Sequence, residues 1–185
     1  MPEHQNKAMP PAAAPGTPEA DRIRSYLQAQ AAKLSLPELV QKVRTDMQQL
    51  SQALNAVPEA RYSVRPAENE WSANEVANHL VQTSRGVASG IRTVLDSGAT
   101  PGGVIDRMGA SSEAHSPGEW WQILETDREA ILERVSTASG DEHLNVKWPH
   151  GVFGDLNWRE WLLFMRVHDL DHARQLLAVA DEVNS

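Results

Sequence analysis

His168 and His172 stand four residues apart in the stretch Val167-His168-Asp169-Leu170-Asp171-His172. On a helix this spacing places two imidazoles on one face, one turn apart. Ring nitrogens so arranged can reach a single cation at ~2.0–2.1 Å. The spacing alone is a weak signal, because seven histidines in 185 residues often make such a pair by chance. Its setting is more informative. Trp161, Met165, His168, His172, Gln175 and Val179 follow one another at steps of four, three, four, three and four. This is one inward stripe with the two imidazoles at its middle. Unpaired polar groups buried there cost ~1–3 kcal/mol each, and a metal ion satisfies both rings at once. The competing reading is a pair of core-edge histidines bonded to carboxylates.

A third imidazole comes from an earlier segment. His79 follows Val76 by three residues and leads a stripe of Thr83, Gly86 and Gly90. The two glycines either let a neighbouring helix approach closely or leave room for a ligand beside the histidine. Together His79, His168 and His172 make a three-nitrogen metal site with open positions, the arrangement of catalytic rather than structural centres. Asp169 and Asp171 flank the pair. A carboxylate accepting a ligand imidazole's second N–H fixes its tautomer, but sequence neighbours point elsewhere on a helix, so a solvated or interhelical salt bridge is the more usual role of each. His150 lies in an aromatic-rich stretch and lines the site's mouth or the surface, whereas His4, His115 and His143 are peripheral.

The elements that must position these residues are legible as helices. Four segments open with a capping box, in which the cap oxygen and the acid three residues on satisfy free backbone N–H groups reciprocally. The boxes are Ser35 with Glu38, Ser72 with Glu75, Ser116 with Glu119, and Asn157 with Glu160. The first leads into a seam of Leu36, Leu39, Val40, Val43, Met47, Leu50, Leu54 and Val57 at helical period. The second runs to about Asp96, with Trp71 and Val76 as a hydrophobic staple. The third turns Trp120, Leu124, Ile131 and Val135 inward, and the fourth runs to about Asp181. A thinner helix from Pro18 to about Lys33, capped by Thr17, lies against the outside. No strand pattern competes. The expected fold is all-α: a four-helix bundle with an extra N-terminal helix and two long loops. The loops are Ser97 to His115, and Thr137 to Leu156, which covers one end of the bundle. Residues 1–17 read as a disordered tail, and 18–182 as a single domain.

Composition narrows the function. The chain has no cysteine, which excludes disulfides, thiolate zinc sites and a cysteine nucleophile of its own. A net charge of −8 with scattered basic residues argues against nucleic-acid binding. There is no apolar run long enough for a membrane span and no secretion signal, so the expected location is cytoplasmic.

Three stretches resemble the DinB/YfiT-like superfamily of four-helix-bundle metalloenzymes. They are Arg65-Pro66 with Glu70-Trp71-Ser72-Ala73-Asn74-Glu75-Val76 and His79-Leu80; Trp148-Pro149-His150-Gly151-Val152-Phe153-Gly154; and Trp161-Leu162 onward through His168, His172 and Gln175. The resemblance spans about residues 20 to 182. It implies a bundle with a long crossover, and a divalent ion (nickel, zinc or similar) at His79, His168 and His172. It also implies chemistry with low-molecular-weight thiols, because characterised relatives are thiol S-transferases and thiol-dependent isomerases. Sulfoxide synthases of the superfamily carry a carboxylate where this chain has Arg174, so that activity is not expected. The leading reading is a metal-dependent thiol S-transferase or thiol-dependent isomerase taking an external thiol and a small-molecule electrophile. The alternatives are a metal-dependent hydrolase and a non-catalytic metal- or small-molecule-binding bundle for sensing, storage or dimerisation, with a homodimer left open.

Overall fold

A computed structural model describes residues 14–102 and 113–184. Most of the expected tail, residues 1–13 with His4, lies outside the described residues, as does 103–112 in the first long loop. The chain forms α1 (Pro18–Lys33), α2 (Leu36–Ala56), a 3-10 turn (Glu59–Arg61), α3 (Ala73–Ser97), α4 (Pro117–Ser136), β1 (Lys147–His150), β2 (Gly154–Asn157) and α5 (Trp158–Val183). All four capping boxes are made. In each, the acid three residues on accepts the cap residue's own N–H at 2.8–2.9 Å. Thr17 caps α1 by accepting the Ala20 N–H at 3.2 Å.

The four capped helices form the bundle. α2 packs chiefly on α5 and α4, and α3 on the same two. The consecutive pairs α2–α3 and α4–α5 therefore sit diagonally, so the chain crosses the bundle instead of running simply up and down. α1 lies outside this square, against α5. Arg159, at the start of α5, ties it there by donating to the carbonyls of Ala31 and Leu34, which satisfies free C-terminal groups of α1, and to that of Gly140. Covered by α1 on its outer side, α5 is buried all round from Trp158 to Met165. Among the described residues no helix is long and apolar enough to cross a membrane.

One expectation is corrected here. β1 and β2 form an antiparallel hairpin, with Trp148 opposite Leu156 and His150 opposite Gly154. Each four-residue strand turns one side chain fully inward, Trp148 and Leu156 respectively, too short an alternation to read as a strand. The second long loop is also more than a cover. Trp148 is completely buried, stacks on Trp161 with centroids 5.2 Å apart, and lies against α3. A Cβ on Gly90 would come within 3.1 Å of its ring. Gly90 thus serves close packing of the hairpin, not ligand room.

The apolar core is divided. One cluster gathers α1, the hairpin, the first halves of α2 and α5 and the second halves of α3 and α4 around Ile91, Ile131, Trp148 and Trp161. The other gathers the opposite halves around Leu54, Leu80, Trp120 and Leu176. Between them runs a polar layer holding Thr83 and Ser84 of α3, Arg128 of α4, and His168, Asp169 and His172 of α5. Polar groups at mid-bundle need partners, and the layer's chemistry follows from how they are met.

Candidate metal centre

α3 and α5 are packing neighbours, and the stripes that begin at Val76 and Trp161 face each other across the contact. They bring His79, His168 and His172 together. One ring nitrogen from each lies within 4.8 Å of the other two, and the three rings are in mutual contact with centroids 4.4–5.0 Å apart. His79 is buried, while His168 and His172 are half-buried.

His79 Nε2 and His168 Nε2 are 3.0 Å apart, sharing one proton. Two ligands on one ion at tetrahedral angles sit about 3.3 Å apart for bonds of ~2.0–2.1 Å, so an ion replacing that proton needs only a small spreading. On the third ring, His172 Nδ1 lies 2.7 Å from Gln175 Oε1. A carbonyl oxygen can only accept, so Nδ1 carries the proton and Nε2 keeps the lone pair a cation needs. The donor set, three imidazoles at the edge of the core, fits a borderline divalent ion, and this triad could hold one. Gln175 thereby acquires a role that its place in the stripe did not announce. Gln175→Leu should lower metal affinity by ~10–100-fold with the helices unchanged, as read by calorimetric titration beside circular dichroism.

Burial pushes the His168 imidazole well below its ordinary value of 6.5, and any proton taken up by His172, His79 or His150, together with the Arg128 charge, pushes it the same way. The ring is therefore neutral and ready for a cation at neutral pH. The unfolded chain takes up a proton at His168 near pH 6.5, while the folded protein resists it. The resulting contribution to stability is full above pH 6.5 and is lost as pH falls toward the folded value. The metal-free protein should thus unfold at lower urea concentration at pH 5.5 than at pH 7.5.

The other candidates fall as follows. Asp169 does not orient a histidine. Its two oxygens accept from Arg128 Nη1 and Nη2 at 2.7 and 3.1 Å, an ion pair buried on both sides. Trp71 is half-buried, its ring tilted against His79 with centroids 5.2 Å apart. His150 packs on Phe153, Phe164 and Trp161, and Phe164 in turn touches His168. Its Nδ1 accepts the N–H groups of Val152 and Phe153 at 3.0 and 3.2 Å, so the ring proton sits on Nε2. His115 packs edge-on against Trp120, and the His143 ring lies on Gly98 at the end of α3, both apart from the triad. Sequence reasoning missed Arg128. The inward stripe of α4 runs Trp120, Leu124, then Ile131 and Val135, and its gap of seven holds position 128.

Comparison with known proteins agrees with this architecture. The chain is similar to TT2238, a four-helix bundle protein, at 22% identity and a TM-score of 0.57, over 78% of this chain and 99% of that one. It is also similar to the mycothiol-dependent maleylpyruvate isomerase, at 17% identity and a TM-score of 0.57 over 79% of this chain, and it spans 62% of that protein's length. No curated protein matches significantly. The DinB superfamily profile matches residues 41–176, which takes in all three histidines and most of the bundle. The chain belongs to the DinB superfamily.

Proposed function

We propose that the protein binds one divalent ion, nickel or zinc, through His79, His168 and His172, and uses it with an external low-molecular-weight thiol to modify a small electrophile. The observation that carries this reading is the triad itself: three imidazole nitrogens within 4.8 Å in the polar layer of the bundle. A bound cation of this kind supplies a positive charge that favours the thiolate form of an incoming thiol. The residues do the rest. Gln175 holds His172 in its ligand tautomer, burial keeps His168 unprotonated, and three protein ligands leave coordination positions for an outside molecule.

In the transfer reaction the thiol proton goes to solvent. The sulfur lone pair forms a carbon–sulfur bond, and the leaving group departs with the electrons of its own bond. In an isomerisation the sulfur adds and is later expelled with that pair. The chain has no cysteine, so the thiol must come from outside. The fold shared with a mycothiol-dependent isomerase supports the same reading.

The test is to load the protein with nickel or zinc and supply cysteine, glutathione or N-acetylcysteine together with a chromogenic aryl halide. The expected result is thiol consumption that needs both metal and protein and disappears in His172→Ala. Metal-dependent hydrolysis of a nitrophenyl ester without any thiol would instead identify a hydrolase. Metal binding with neither activity would leave a non-catalytic bundle.

A further inference from the structure

The layer that divides the core has two halves. One is the histidine triad, and the other is the Arg128–Asp169 pair with Ser84. Arg128 reaches from α4 to both helices that carry the histidines. Its fork donates twice to Asp169 of α5, the residue next to His168, and Nη2 also reaches Ser84 Oγ of α3 at 3.4 Å. Ser84 lies five residues along α3 from His79. One guanidinium thus joins the helix of the first ligand to the helix of the other two.

Stability is a poor explanation for this arrangement. A buried ion pair must recover the loss of hydration of both charges, and exchange for apolar residues is often neutral or favourable. Here the recovery is incomplete, because Arg128 Nε is buried with no hydrogen-bond partner among the described residues. The pair also interrupts what would otherwise be one apolar core, between Leu124 and Ile131 on α4. What a two-pronged guanidinium–carboxylate contact does supply is fixed geometry, which sliding apolar contacts do not.

We propose that Arg128 is a positioning residue for the metal centre. By locking α5 to α3 through Asp169 and Ser84, it sets the separation at which His168 meets His79. This rests on the metal reading above. The geometry it holds is the approach of His79 Nε2 to His168 Nε2, 3.0 Å. With the fork absent, the helices settle at a spacing decided by side-chain volume alone, and the three nitrogens no longer converge as closely.

The experiment compares wild type with Arg128→Lys and with Arg128→Met/Asp169→Leu. It reads cobalt(II) affinity, the visible spectrum of bound cobalt, and urea stability. Lysine keeps the charge but offers a single point contact, and the double variant removes both charges without leaving an orphan. The expected result is a ~10–100-fold loss of cobalt affinity and an altered spectrum in each folded variant, including a double variant as stable as wild type. A folded variant with wild-type affinity and spectrum overturns the proposal. If neither variant folds, Ser84→Ala decides. It severs only the tie to α3, and a severalfold weaker cobalt affinity supports the proposal while an unchanged one overturns it. Failure of wild type to bind cobalt would count against the metal reading itself, and is thereby distinguished.

Discussion

His168→Ala is expected to abolish metal binding at micromolar concentrations while the helices stay formed. The loss should exceed the ~10–100-fold that follows removal of a residue merely orienting a ligand, because a coordinating nitrogen is gone. The fold should survive, since it does not depend on the ion. Four capping boxes are complete, and two apolar clusters close the bundle on either side of the polar layer. This is unlike a zinc finger, whose binding energy is its folding energy. Calorimetric titration beside circular dichroism checks both halves. A variant that binds as wild type does would remove His168 from the site, and one that unfolds would make the histidine structural.

Trp148→Ala should destabilise the protein by ~3–5 kcal/mol, the range for truncating a fully buried large aromatic residue. The ring is 0% exposed, stacked on Trp161 and pressed against Gly90, so α3, α5 and the hairpin all lose contacts and a cavity is left. Urea unfolding measures the change directly. A loss below about 1 kcal/mol would mean that the hairpin is a detachable cover and that the cluster around Ile91 and Trp161 closes without it.

The contrast between these two sites shows what the sequence could reveal. Helix starts were legible because a capping box is local: Ser72 and Glu75, or Asn157 and Glu160, need only each other. The triad was legible because His168, His172 and Gln175 share one periodic stripe and His79 heads another. Trp148 was not, because its strand places one residue inward and contains Pro149, so no period of two emerges. Gly90 was ambiguous for the same reason, as its partner lies 58 positions on, in that hairpin. The partner of Asp169 was hidden by distance along the chain. Arg128 stands among Asp127 and Glu129 and looks like one more solvated helix charge until the gap in the α4 stripe is noticed.

A single ion held by three imidazoles can be measured by calorimetric titration of the untagged protein with nickel or zinc at pH 7.5, 6.5 and 5.5. One ion per chain is expected at pH 7.5, with an affinity that falls on acidification, because an imidazole binds a cation only when unprotonated. Burial holds the His168 imidazole well below its ordinary value, so a proton on that ring competes less than on a free imidazole. The fall between pH 6.5 and 5.5 should then be about 10–100-fold. Carboxylate ligands titrate near pH 4 and would hold the ion throughout. Affinity unchanged from pH 7.5 to 5.5, or no binding at pH 7.5, would contradict a metal centre built from His79, His168 and His172.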